Sequence, residues 1–201
     1  MDGPTFRDAL VEAKAEELAR LESPDLVDAL TDGERDAPSV LRAAAHSERA
    51  ARETFRAWAD DETDTDARDA FVAVAEQEAD HFRRVRAAFD GAFDPADAGP
   101  MHTYLRGRED TVERVAGGMV ARPAVSLRTH ARLIAFFEGR DETARAGLFR
   151  DLRAETAAVV DDGLTLLDER CTDADWERAR MVGEYVVQVA YDDFADALAA
   201  Q

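Results

Sequence analysis

The chain has 201 residues, of which 46% are apolar, and this suffices for one domain with a sizeable core. Asp and Glu total 44 against 25 Lys and Arg, so the formal net charge at pH 7 is −19. Proteins bind nucleic acid by neutralising phosphates with clustered Lys and Arg. We therefore expect a single domain over residues 1–201, with no nucleic acid as a direct partner.

The acidic residues are spread along the whole chain, Asp outnumbers Glu, and almost every basic residue is Arg. This composition resembles that of cytoplasmic proteins from salt-accumulating archaea. At about 1 M salt the Debye length falls to about 3 Å, which screens the repulsion within such a surface. No apolar run approaches the roughly 18 residues of a membrane span, and the N-terminus lacks a signal-peptide pattern. We expect a halophilic, archaeal-type protein of the cytoplasm, with no membrane partner.

The first segment, residues 1–37, has the pattern of an amphipathic helix followed by a short helix and a polar linker. The apolar residues that recur at helical spacing before Ser23-Pro24 are Phe6, Leu10, Leu18 and Leu21. The next segment, residues 38–91, contains two long helical patterns at about 39–60 and 66–90. An acidic turn separates them, so we expect two antiparallel neighbours.

A region rich in Gly, Pro and Asp opens the third segment, residues 92–122, which we interpret as a crossover. Its helical stretch, about 102–121, is expected to end at Gly117-Gly118 and Pro123. A second helix pair, about 124–138 and 142–170, occupies residues 123–170, and a closing helix of about 174–199 lies within 171–201. The pattern predicts an all-α four-helix bundle with a long crossover and additional N- and C-terminal helices.

Ionisable residues interrupt the predicted buried stripes of the first helix pair. Glu48 lies on the stripe of the first helix, and Glu78 and His81 lie one turn apart on that of the second. Burying an unpaired carboxylate costs several kcal/mol, so the cluster is expected to be protonated, to pair its members or to bind a cation. Metal binding is the most specific of these three hypotheses.

The residues around this cluster resemble the rubrerythrin branch of ferritin-like proteins. The resemblance is carried by His46-Ser47-Glu48-Arg49-Ala50-Ala51-Arg52 with Phe55, and by Ala75-Glu76-Gln77-Glu78-Ala79-Asp80-His81. It implies a ferritin-like bundle in which a Glu from each of two helices and a Glu-x-x-His from each of the other two hold two iron ions. It also implies an oxidoreductase acting on peroxide or O2, with Glu48, Glu78 and His81 as ligands.

The second helix pair lacks the matching ligands. When it is aligned with the first pair, the corresponding positions are Leu127, Thr156 and Val159. Shifting the register by one residue brings in Glu155 but pairs it with Ala158, so no second histidine is recovered. A symmetric di-iron site is therefore not expected.

His130 lies one turn from Leu127 on the same predicted stripe and offers a further ligand. With Glu48, Glu78 and His81 it would form a mononuclear site suited to iron, or to manganese or zinc. Cys171 stands alone, so the chain has no Cys-x-x-Cys pair for a rubredoxin-type centre, and turnover would need a separate electron donor.

An alternative without a bound metal also stays open. The same four residues could form a polar layer that compensates its own charge, with Arg52 as a partner, and bind no cofactor. The protein would then be a non-catalytic scaffold or a regulatory interaction protein, for example of a transcription or stress complex.

His46 and His102 are expected to be ordinary solvated histidines. No catalytic residue and no organic cofactor site is assigned, and a homodimer is an open alternative.

Overall fold

The chain folds into helices over the residues that the computed structural model describes, 1–95 and 97–201, and these ranges contain no strand. The predicted all-α fold class is confirmed. In chain order the helices are α1 (Gly3–Ala13), α2 (Ala15–Leu21), α3 (Leu26–Thr31), α4 (Ala37–Asp61), α5 (Thr65–Ala87), α6 (Gly99–Arg106), α7 (Thr111–Arg114), a π-helix (Val115–Ala121), α8 (Arg122–Glu138), α9 (Thr143–Arg170) and α10 (Asp173–Ala199).

Acidic caps begin the two long helices that carry the ionisable cluster. Asp36 precedes α4 and its side chain accepts a hydrogen bond from the backbone N–H of Ser39, while Asp64 caps α5 through the N–H of Ala67. Such caps satisfy N–H groups that have no partner within the helix. The two helices pack along each other as an antiparallel hairpin with a turn of three residues between them.

Helices α8 and α9 form a second hairpin, which meets the first through contacts between α9 and α5. Helix α10 packs along the π-helix and also contacts α1, α2, α3 and α6. Every helix in the described ranges is either too short or too polar to cross a bilayer. The long helices thus surround a common interior, and α10 covers one side of it.

Two apolar clusters fill this interior. One surrounds Trp58, Phe71 and Met119, and the other surrounds Leu41 and Phe149. The long helices also bury polar residues, namely Glu48, Glu78, His81, His130 and Thr156. The fold therefore places a polar layer inside an apolar core.

The structure differs from the sequence prediction between residues 111 and 123. Helix α7 continues through the π-helix into α8 without the predicted break, and all seven π-helical residues are buried. A Cβ on Gly118 would lie 2.5 Å from Cζ3 of Trp58, so this glycine permits close packing rather than ending a helix. Pro123 is the second residue after the π-helix, where the α-helical hydrogen-bond ladder is already interrupted, and is tolerated there.

Candidate metal centre

Three side chains converge in the polar layer as the sequence pattern predicted. Glu48 projects from α4, and Glu78 and His81 project from consecutive turns of α5. One ligand atom from each lies within 4.8 Å of the others, and the residues are exposed by 5%, 1% and 0%. They form the compact group of potential metal ligands in the described part of the chain.

The spacing inside the group is too wide for hydrogen bonds and suits an ion. Nδ1 of His81 lies 3.6 Å from Oε2 of Glu48 and 3.6 Å from Oε2 of Glu78. Nδ1 of His81 and Oε2 of Glu78 have no hydrogen-bond partner among residues 1–95 and 97–201. Around a tetrahedral ion with bonds of about 2.0–2.2 Å, neighbouring ligand atoms are about 3.3–3.6 Å apart. A small divalent cation therefore fits between these atoms.

The ring of His81 is held from its other side by Glu155. Nε2 of His81 lies 2.7 Å from Oε2 of Glu155, whose carboxylate also accepts a hydrogen bond of 2.9 Å from Arg84. A carboxylate at one ring nitrogen keeps a proton there and orients the other nitrogen as a ligand. The side chain of Glu155 thus fixes Nδ1 of His81 towards Glu48 and Glu78.

The pKa values of the two central carboxyl groups, Glu48 and Glu78, shift in opposite directions in the metal-free protein. Burial would raise the pKa of Glu48, but its interactions with the imidazoles of His130 and His81 outweigh this and lower the pKa well below its usual value. Burial raises the pKa of Glu78, and the charge of Arg122 opposes this without cancelling it. Burial would lower the pKa of His81, but the neighbouring carboxylates outweigh it and raise that pKa to about 10. Without a metal, His81 is therefore an imidazolium at neutral pH.

Arg122 is a buried member of the layer that sequence analysis did not find. Its guanidinium donates to Oε1 of Glu78 at 2.7 Å and to the carbonyl oxygen of Gly118 at 3.3 Å. The prediction that Arg52 is the arginine partner of the layer is wrong. Its guanidinium lies over Phe82 and 3.8 Å from Glu53. The position of Arg122 directly before Pro123, at a predicted helix break, concealed its inward direction.

His130 reaches the layer at its edge. Its Nε2 lies 3.4 Å from Oε1 of Glu48, and its Nδ1 has no hydrogen-bond partner in the described part of the chain. It is not part of the compact group formed by the other three candidate ligands. His130 therefore contacts a candidate ligand, and its own role as a ligand stays a prediction.

The second helix pair places two of the three predicted counterpart positions inside the bundle. Thr156 and Val159 are buried on the inner side of α9, as their stripe predicted. Leu127 is only half-buried, whereas His130 and Phe137 of the same predicted stripe are buried. The correspondence between Leu127 and Glu48 stays a prediction. Glu155, beside Thr156, reaches His81 although its own backbone position is not on the buried stripe.

His102 corrects another expectation. It was predicted to be solvated, but it is only 4% exposed, and its Nδ1 lies 3.1 Å from the hydroxyl oxygen of Thr54. Helix α6 packs against α4 and so buries this ring. His46 is half-buried, with its ring 4.5 Å from that of Phe93. The Gly- and Pro-rich sequence before α6 gave no sign of this packing.

No family model, no curated protein and no solved structure matches this chain. The resemblance to rubrerythrins therefore remains a prediction from residues 46–55 and 75–81.

Proposed function

We propose that this protein binds one divalent transition-metal ion through Glu48, Glu78 and His81. The observation that carries the proposal is the facing pair of unpartnered buried atoms, Nδ1 of His81 and Oε2 of Glu78. Buried polar atoms almost always have a hydrogen-bond partner. A cation would satisfy both atoms and Oε2 of Glu48 at once.

The donor set favours a particular group of metals. Two carboxylates and one imidazole suit Fe(II), Mn(II) or Zn(II), and three protein ligands leave a coordination position for water or a small substrate. The rubrerythrin resemblance implies iron and an oxidoreductase acting on peroxide or O2. We include that activity in the proposal, with electrons supplied by a separate donor.

The surrounding residues support one metal rather than two. Arg122 already binds Oε1 of Glu78, on the side where a second cation would share that carboxylate. Glu155 holds Nε2 of His81, and His130 contacts Oε1 of Glu48. The two helix hairpins, α4–α5 and α8–α9, support a ferritin-like arrangement with one functional half.

A specific observation favours a second candidate, a non-catalytic scaffold. The carboxylates of Glu48, Glu78 and Glu155 are matched by the guanidiniums of Arg84 and Arg122 and by the imidazolium of His81. The layer can therefore be neutral without a metal. A buried charged network of this kind is retained in some proteins for structural specificity.

Metal titration separates the two candidates. Protein freed of metal by a chelator is mixed with Mn(II), Zn(II) or anaerobic Fe(II), and the bound metal and the melting temperature are measured. We expect one ion per chain and a higher melting temperature, because a ligand at 100 times its Kd stabilises the folded state by about 2.7 kcal/mol. Loading with iron and a chemical reductant should then accelerate peroxide consumption.

The variant His81→Gln should abolish binding and the shift in melting temperature, because it removes the only imidazole in the compact group. His46→Gln on α4 is the matched control, since its ring lies outside that group, and should retain both. Wild-type protein that takes up no stoichiometric metal would contradict the proposal and favour the scaffold. Metal binding without peroxide consumption would contradict only the oxidoreductase activity.

A further inference from the structure

A cleft lined mainly by apolar side chains extends into the bundle, with a volume of about 280 Å³. Four helices contribute buried side chains to its wall, among them Leu26 of α3, Ala44 of α4, Leu133 of α8 and Phe194 of α10. An enclosed apolar cavity of about 150 Å³ is sufficient to bind benzene. The cleft can therefore hold an organic molecule of about ten non-hydrogen atoms.

The acidic groups at the rim of the cleft select weakly among charged ligands. Asp97 and Asp193 line the cleft and are exposed to water, where ion pairs contribute little to affinity. None of the described residues that line the cleft is Arg or Lys. An anionic ligand therefore finds no cationic partner in the cleft, and a cationic ligand finds only solvated carboxylates at its rim.

The ionisable groups deeper in the cleft carry no charge that lacks compensation. Glu48 lines the cleft, but its two carboxylate oxygens lie 3.4 Å from Nε2 of His130 and 3.6 Å from Nδ1 of His81. Burial lowers the pKa of His46 and that of His102, so both of these rings in the wall are neutral at pH 7. A charged ligand that left water would therefore not recover its lost hydration there.

We propose that this cleft binds an uncharged, largely apolar organic molecule, and that this molecule is the substrate of the proposed metal centre. Burial of apolar surface against the wall supplies the affinity. Glu48 both lines the cleft and belongs to the candidate metal site, so the cleft reaches a ligand of the metal. Binding in the cleft is independent of the metal, and only the assignment as substrate rests on the proposed function.

The first test compares three ligands of nearly equal size. The uncharged ligand is para-fluoropropylbenzene, and the other two carry an ammonium or a carboxylate at the end of the alkyl chain. Titration into metal-free protein, followed by fluorine NMR, gives each Kd. We expect the uncharged ligand to bind at least tenfold more tightly than either ion, because the ions lose hydration without compensation. No binding of the uncharged ligand, or equal binding of either ion, would overturn the proposal.

Variants that fill the cleft locate the ligand. Ala190 of α10 is half-buried and lines the cleft, so Ala190→Leu adds an isopropyl group there and should weaken binding at least tenfold. Ala195→Leu is the matched control, because Ala195 is half-buried on the same helix but does not line the cleft. The control should bind as the wild type does.

Circular dichroism confirms that each variant is folded before the affinities are compared. Ala197→Leu, which also fills the cleft from α10, replaces Ala190→Leu if that variant is unfolded. Affinity that is unchanged in the filled variant, or lowered equally by Ala195→Leu, would show that the ligand binds elsewhere and would overturn the proposal.

The second test measures whether the bound ligand lies beside the metal. The unpaired electrons of Mn(II) broaden the fluorine resonance of a nearby ligand, whereas diamagnetic Zn(II) does not. We expect strong broadening of the uncharged ligand in Mn(II)-loaded protein. His81→Gln, which removes a ligand of the metal, should abolish the broadening and retain ligand binding.

The outcomes separate the two proposals. Mn(II) uptake without broadening of the bound ligand would overturn the assignment as substrate and leave the metal proposal standing. Ligand binding without metal uptake would contradict the proposed function, and with it that assignment, while the cleft would remain a binding site for uncharged apolar molecules. Metal uptake without ligand binding would overturn the inference alone.

Discussion

The guanidinium of Arg122 lies 2.7 Å from Oε1 of Glu78, and both side chains are almost completely excluded from water. This ion pair joins the first turn of α8 to the middle of α5. Removing one partner of a buried ion pair leaves the other charge without compensation, at a cost of about 3–5 kcal/mol. The pair is therefore both a stabilising contact and a competitor for a metal ion at Glu78.

Arg122→Leu should lower the unfolding free energy of the metal-free protein by about 3–5 kcal/mol. Saturating Mn(II) should restore part of this loss, because a cation at Glu78 would replace the missing positive charge. Urea denaturation with and without Mn(II) measures both effects. A variant that is destabilised equally in both conditions would argue against a metal at Glu78.

Arg114→Leu is the matched control for this experiment. Arg114, at the end of α7, forms a second buried ion pair, at 3.1 Å from Oε2 of Glu62 in the turn between α4 and α5. Its loss should also destabilise the protein by several kcal/mol, for the same reason. Mn(II) should restore no more stability there than it adds to the wild type, since Glu62 is outside the candidate site.

Glu155→Gln tests the orientation of His81 by a nearly isosteric change. The neutral amide would no longer hold the Nε2 proton with a carboxylate, so Nδ1 would become a weaker ligand. We expect metal affinity to fall about 10–100-fold, as is typical for partners of metal-binding histidines. Competition with a chromophoric chelator gives the Kd. Asp151→Asn, which also faces Arg84 but does not contact His81, should have little effect.

The sequence predicted the first half of the candidate site well, because Glu48, Glu78 and His81 all lie on regular helical stripes. Periodicity could not predict Glu155 or Arg122. Glu155 is half-exposed, and only the length of its side chain brings it to His81. Arg122 follows a π-helix, where the spacing of three and four residues no longer applies.

The pH dependence of stability should reveal the buried ring of His102. The pKa falls from 6.5 to about 3 on folding, because the ring is desolvated and faces Arg122 and Arg106, with Glu48 opposing. Below pH 6.5 the unfolded chain therefore binds a proton that the folded chain does not bind. The contribution of His102 to the unfolding free energy is fully present above pH 6.5. It is lost progressively towards pH 3, by up to about 1.4 kcal/mol per pH unit.

Unfolding free energies from urea denaturation at pH 4 to 7 measure this slope. The variant His102→Leu lacks the titrating group, so its slope should be smaller than that of the wild type in the same window. The difference between the two slopes removes the contribution of the many carboxylates. Identical slopes would mean that His102 is protonated equally in the folded and unfolded states.

Two glycines should respond in opposite ways to the same substitution. Gly118→Ala would place a Cβ 2.5 Å from the buried ring of Trp58 and should destabilise the protein by about 1–3 kcal/mol. Gly147→Ala in α9 meets nothing within 4 Å and should stabilise it by about 0.5–1 kcal/mol. Thermal unfolding of both variants checks the signs. Equal effects would contradict the close packing of the π-helix on α4.

The charge of −19 predicts that the protein needs salt to be stable. The unfolding free energy should rise steeply between dilute buffer and molar KCl, because added ions screen repulsion among surface carboxylates. Helical circular dichroism during urea denaturation measures it, with a neutral osmolyte at matched osmolality as the control. Equal stability at about 50 mM and about 2 M KCl would contradict a halophilic protein.

The π-helix over Val115–Ala121 has a consequence for how this chain could change by insertion or deletion. The N–H of Arg122 bonds to the carbonyl oxygen of Gly117, five residues earlier, so the segment holds one residue more per turn than an α-helix. Deleting one residue within a regular α-helix rotates all later side chains by about 100°, whereas the wide turn of this segment can lose one residue by closing into an α-helical turn. The segment is therefore a place where the chain can lose a residue while Arg122 continues to face Glu78 and the charge balance of the layer is kept.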